Sequence, residues 1–159
     1  MSKGKDISIG KMRRQLFLLG LVKIPMIGFV RPRLLKLNEN DVEVKIKLRR
    51  RSKNHLKSMY FGVLAVGADI AAGIQAFYFS EKMGKPVSLA FKGIKGEFHK
   101  RAETDIIFKS NQGALVKEAM ERSLKNQDRQ NQAIEVLAYD LNNEIVATFE
   151  MILSVRVKG

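Results

Sequence analysis

The chain has 159 residues, 45% of them hydrophobic, which is enough for one core and one domain covering 1–159. It has no cysteine, which excludes disulfides and thiolate metal sites and fits a reducing, cytoplasmic setting. The two histidines, His55 and His99, are well separated and suggest no zinc cluster, so no metal is expected. A formal net charge of +13 favours an anionic partner: nucleic acid, membrane lipid or a phosphorylated ligand.

In chain order, residues 9–22 have the spacing of an amphipathic helix with Met12, Leu16 and Leu19 on one face and Phe17 as a further candidate for it, stopped by Pro25; with what precedes it, this forms a helical extension over 1–24. The stretch 11–25, basic and then apolar, has the outline of a signal peptide. Lys23 and Pro25 interrupt it and no small-residue cleavage site follows, so a packing helix is expected instead. "RPRLLKLN" (31–38) opens extended structure. "DVEVKIKLR" (41–49) alternates as a half-buried strand with Val42, Val44, Ile46 and Leu48 inward. The basic run "EVKIKLRRRSKNHLK" (43–57) has no interleaved aromatics, so nucleic-acid binding is the least favoured of the functional readings.

From Ser58 to about Lys82 the pattern becomes a long helix that is apolar nearly all round, with Ala65, Ala68, Ala72 and Ala76 recurring at helical spacing, and it ends at Gly84 and Pro86. This segment is long enough to span a bilayer, but Asp69 and Gln75 within it favour burial in a protein core. Strands follow at 87–100, with a bulge or bend at the glycines, and at 104–109. Asn111 is placed to cap a short helix over 114–127, where Lys117/Glu121 and Glu118/Arg122 are spaced to pair. Residues 132–141 and 144–157 form a hairpin about Asn142-Asn143. The outline is an α+β domain in which an antiparallel sheet of five or six strands curls around one long helix.

Asp69 is the one carboxylate in the run from Ser58 to Ser80, and its neighbours from Val66 to Ala72 offer it no polar partner. Desolvation raises the pKa of such a group and suits it to act as a general base or nucleophile. The start of the same helix carries backbone N–H groups, around Tyr60, Phe61 and Gly62, that can stabilise an oxyanion. Phe61 and Asp69 lie about 12 Å apart along a helix axis. Both can therefore serve one reaction only if the carboxylate comes from a second, antiparallel copy, which predicts a two-fold dimer with composite sites.

Residues 54–73, "NHLKSMYFGVLAVGADIAAG", resemble the hot-dog-fold acyl-CoA thioesterases of the phenylacetate-degradation and 4-hydroxybenzoyl-CoA type, and the chain from about 25 to 157 does so more loosely. That family places an Asn before a His-Gly-Gly at the helix start and an acid about two turns further on. Asn54 matches the Asn and Asp69 the acid, whereas Tyr60-Phe61-Gly62 stands where the family has His-Gly-Gly. The resemblance implies a long helix wrapped by the sheet, dimers often paired into tetramers, and hydrolysis of acyl-CoA or acyl-carrier thioesters, with coenzyme A entering only as part of the substrate. It assigns Asp69 as the catalytic acid group, Phe61 and Gly62 as oxyanion donors, and Asn54 and Tyr60 as orienting groups. It places the acyl group near Met59, Phe77 and Phe91, and the coenzyme A phosphates near cations drawn from Lys92, Lys95, Lys100, Arg101 and the run 49–57. The Tyr60-Phe61 departure also suits a non-catalytic acyl-CoA or acyl-carrier-protein binding module.

Overall fold

The computed structural model describes residues 7–159. The first residues of the expected 1–24 extension lie outside this range. Ser8 caps α1 (Ile9–Leu18) by accepting the Lys11 N–H, and the helix runs on through a wider π-helical stretch at Leu19–Lys23. This helical run ends at Lys23, and Ile24 leaves the helical conformation just ahead of Pro25. Pro25 is itself the first residue of α2 (Pro25–Val30), because a proline lacks only an N–H that a helix start leaves unpaired in any case. Arg31, in the left-handed region at φ 52°, turns the chain into β1 (Arg33–Leu37).

The other strands are β2 (Val42–Ile46), β3 (Val87–Phe98), β4 (Ile106–Ser110), β5 (Gln130–Tyr139) and β6 (Ile145–Val157). They form a six-stranded antiparallel sheet in the order β1-β2-β4-β5-β6-β3. α3 (Phe61–Met83) lies along the inner face and touches β2 to β6. This is the hot-dog fold. α3 is long and apolar enough to cross a membrane, yet 67% of its most apolar stretch is buried, as a core helix requires.

The inner face follows the alternation in sequence: Val42, Val44 and Ile46, then Ile106 and Phe108, Ile134, Val136 and Ala138, and Phe149 to Val157 at every second position are all buried. Gly67 lets α3 approach the sheet, since a Cβ there would stand 2.2 Å from the Phe108 ring. Phe108→Ala, which empties this contact at a fully buried site, is expected to lower the unfolding free energy by about 3–5 kcal/mol, read from denaturant melts. Gln75 is also buried, and its amide donates to the Asn38 carbonyl at 3.1 Å, tying α3 to the β1–β2 turn.

Two local expectations are corrected. α4 (Gly113–Asn126) has Gln112 at its N-cap position and no capping side chain, so Asn111 does not cap it. Gln112 instead accepts the Glu135 N–H at 2.7 Å, joining the helix start to β5. Neither Lys117/Glu121 nor Glu118/Arg122 forms an ion pair, as both remain on the solvated side. The β5–β6 turn forms about Asn143, at φ 64°, and Asp140 accepts the N–H groups of Asn142 and Glu144 across it.

Candidate functional site

Asp69 lies midway along α3 and is half-buried between that helix and β3. Its carboxylate has no hydrogen-bond or ion-pair partner among the described residues, so burial acts unopposed and holds its pKa above the ordinary carboxylate value. The sign for stability follows. The folded state binds this proton more tightly than the unfolded chain does, so the group is neutral and unstrained at low pH, and stability falls as pH rises through its folded pKa. Asp69→Asn is therefore expected to unfold at a higher temperature than the wild type at pH 7, with the difference fading as pH drops below the ordinary carboxylate range.

Two cavities meet at this residue. One, of about 380 Å³, lies between α3 and the N-terminal helices and is lined by Leu16, Leu19, Ile24, Ile27 and Phe77 together with Asp69. The other, of similar size, opens toward β3 beside Ala65, Phe91, Lys92, Ile94 and Met151. Phe77 thus shares the first cavity with Asp69, and Phe91 and Lys92 the second. Lys92 makes no ion pair with the carboxylate and is exposed.

The position of Lys92 comes from a bulge. The β3–β6 register slips between Phe91 and Gly93, so Phe91 lies opposite Leu153 but Ile94 lies opposite Met151, which leaves Lys92 as the extra residue. Directly opposed residues share a face. The slip therefore turns Ile94 and Phe98 inward alongside Met151 and Ala147, yet both remain about half exposed, Ile94 at the open cavity beside Asp69. β3 is also an edge of the sheet along its whole length.

The start of α3 is built differently. Tyr60 is its N-cap in extended conformation, its N–H donates to the Ser52 carbonyl at 2.9 Å, and no side chain caps the helix. Its carbonyl receives the N–H groups of Val63 and Leu64, while helix geometry gives those of Phe61 and Gly62 no intrahelical acceptor. The Tyr60 and Phe61 rings, both exposed, contact each other at 4.8 Å. The Tyr60 ring also lies over Gly62, where a Cβ would meet it at 2.6 Å. Asn54 works within the preceding loop: its carbonyl oxygen accepts the N–H groups of Leu56 and Ser58, and its amide donates to the Ser58 hydroxyl.

The remaining expected residues lie elsewhere. Met59 is buried in the core, held by its N–H to the Ala102 carbonyl at 2.8 Å. Lys95 lines a separate polar cavity with Glu97, Glu135 and Glu150. Arg101 is exposed and lines neither cavity at Asp69. Lys100 is not a free rim cation, because it pairs with Asp140 at 2.9 Å and with Glu144, clamping the β5–β6 turn. Missed by the sequence reading were Leu19, Ile24 and Ile27, whose apolar spacing signals packing but does not reveal that a cavity stays open beneath them. Among the described residues no cluster of His, Asp and Glu is placed to hold a metal ion.

The family described as Domain of unknown function (DUF4442) matches residues 13–155. No curated protein matches the chain. Among solved structures, a candidate thioesterase from Shewanella oneidensis superposes with a TM-score of 0.80 at 11% identity, covering 93% of this chain and 99% of its own. A Haemophilus influenzae thioesterase gives a TM-score of 0.68 at 11% identity, covering 99% of this chain and 96% of its own. Zebrafish thioesterase superfamily member 2 gives 0.65 at 11% identity, covering 97% of this chain and 100% of its own. At these identities the likeness is one of fold.

Proposed function

The chain belongs to the DUF4442 family, described as a domain of unknown function, and from its fold and the geometry of Asp69 we propose that it is a thioester hydrolase acting on acyl-CoA or acyl-carrier-protein thioesters. The observation that carries this reading is the partnerless Asp69 carboxylate at the meeting point of two cavities. The fold on which it sits is shared with proteins named as thioesterases. In the reaction, Asp69 takes a proton from a water molecule, whose oxygen attacks the thioester carbonyl carbon. Electron density moves onto the carbonyl oxygen and is held by the N–H groups of Phe61 and Gly62. Collapse of this intermediate breaks the C–S bond, the proton passes to the departing thiolate, and a carboxylic acid and a thiol are released.

Asp69 and the Phe61–Gly62 N–H groups are about 12 Å apart along one helix, so the reaction uses Asp69 of one subunit and the helix start of another. The free edge of β3 supports such a dimer, as do the inward but uncovered Ile94 and Phe98: a second β3 pairing antiparallel would extend the sheet and bring another subunit over these side chains. The apolar cavity under the N-terminal helices suits an acyl chain, and Lys92 at its neighbour suits a coenzyme A phosphate.

The second reading, a binding module without turnover, is favoured by the Tyr60 ring lying across Gly62. Turnover assays on a panel of acyl-CoA esters of varied length, with a thiol readout, separate the two. Hydrolysis of at least one ester by a dimeric protein is expected. Tight binding without thiol release in any case would establish the module, and a strict monomer in light scattering would remove the composite site.

A further inference from the structure

α1 with its π-helical extension and α2 fold into a tight hairpin. A Cβ on Gly28 would stand 2.5 Å from the Gly20 carbonyl oxygen, so the two backbones meet with no side chain between them. The inner side of the hairpin is filled by Met12, Leu16, Ile27 and Val30, all buried against the domain. A second set of apolar side chains then has nowhere to pack: Phe17 is 68% exposed, Leu21 65%, Val22 70% and Met26 61%, with Leu18 and Phe29 about half exposed. One exposed apolar residue is ordinary on a protein surface, but a contiguous patch of this kind calls for an occupant.

The charge around the patch indicates which occupant. From residue 7 to residue 38 the chain carries Lys11, Arg13, Arg14, Lys23, Arg31, Arg33 and Lys36 and no Asp or Glu. Arg14, Lys23, Arg31 and Arg33 are exposed, and their side chains have no hydrogen-bond or ion-pair partner among the described residues. Arg51 adds a further cation, its guanidinium lying 4.9 Å from the centre of the Phe29 ring. A second copy of this chain is a poor match, because a two-fold contact through this face would set its cations against their own counterparts, and Glu81, the carboxylate beside the hairpin, is already engaged with Lys11 and Gln15.

We propose that this hairpin is a docking surface for an anionic phospholipid bilayer, with Phe17, Leu21, Val22 and Met26 entering the acyl boundary and Arg14, Lys23, Arg31 and Arg33 at headgroup depth. Leu19, Ile24 and Ile27 of the same hairpin wall the cavity that reaches Asp69, so the docked face adjoins that cavity. The proposal stands apart from the hydrolase reading, since docking needs no turnover.

The test is co-sedimentation of the full chain with vesicles of phosphatidylcholine alone, and with vesicles of phosphatidylcholine and phosphatidylglycerol at about 2:1. Binding to the mixed vesicles is expected, at least about tenfold tighter than to the neutral ones and weakening with salt. A triple variant Phe17→Ser, Leu21→Ser, Val22→Ser alters only exposed side chains, so its melting temperature should match the wild type while vesicle affinity falls at least about tenfold. Arg14→Gln and Lys23→Gln should each lower affinity about fivefold. The proposal is overturned if the wild type does not bind mixed vesicles at low salt. It also fails if the triple variant binds them as well as the wild type, which would reduce the effect to diffuse net charge. Conversion of a dimer to a monomer by the triple variant, with vesicles left unbound by either protein, would assign the face to a second copy instead.

Discussion

Asp69→Asn is expected to lower kcat on the preferred thioester by about 10²- to 10⁴-fold, the usual contribution of a positioned general base. KM should change little, because the side chain is isosteric and Asp69 has no hydrogen-bond or ion-pair partner among the described residues that the amide would lose. The wild-type pH profile carries the same information. The base must be ionised to act, and burial holds its pKa above the usual carboxylate range, so the acidic limb of kcat/KM should fall at higher pH than an exposed aspartate would give. The substitution should also stabilise the fold at neutral pH while destroying activity. That opposition is expected of a group whose burial serves chemistry and not packing.

Phe61→Pro is expected to lower kcat by about 10²- to 10³-fold, the cost of removing one oxyanion donor. The position tolerates the change structurally. Phe61 is the first residue of α3, where proline is well accommodated, and Tyr60 before it already has φ −61° and ψ 137°, the extended conformation a following proline requires. Phe61→Ala separates the backbone from the ring. It removes the 4.8 Å contact with Tyr60 but keeps the N–H, so it should retain activity within a few-fold. If the alanine and proline variants lose activity equally, the ring and not the amide is what matters at this position.

What could be read from the sequence depended on how local the cause was. The 58–82 helix was legible because its composition allows no other state, and α3 occupies Phe61–Met83. The 142–143 turn was legible because Asn at positive φ is a local property, and Asn143 adopts it. The stop before Pro25 was legible, since the first helical run ends at Lys23, but nothing local shows that the same proline also begins the next helix. The capping role expected of Asn111 failed for a tertiary reason: Gly113 is pressed against the Glu39 backbone, where a Cβ would have only 1.8 Å, and that contact sets where α4 begins. Lys100 and its carboxylate partners, like the cavity walls supplied by Leu19, Ile24 and Ile27, join residues distant in sequence, which periodicity cannot connect.

Asp69 itself was legible as an isolated charge in an apolar helix. The bulge at Lys92 was only partly so: the glycines indicated a bend, but the switch of face that turns Ile94 and Phe98 inward depends on the β6 register. That switch exposes apolar surface along the free edge of β3 near Asp69. It is also what makes a second subunit physically reasonable there.

The central claim is that each site joins Asp69 of one subunit to the α3 start of another, and subunit mixing tests it directly. Asp69→Asn and Phe61→Pro proteins, each nearly inactive alone, are unfolded together in equal amounts and refolded. If sites are composite, half of the dimers formed are mixed and each carries one site free of both substitutions, so about a quarter of wild-type activity should return. If both groups act within one chain, every site in a mixed dimer carries a substitution, and activity at the level of the two parent variants would contradict the account.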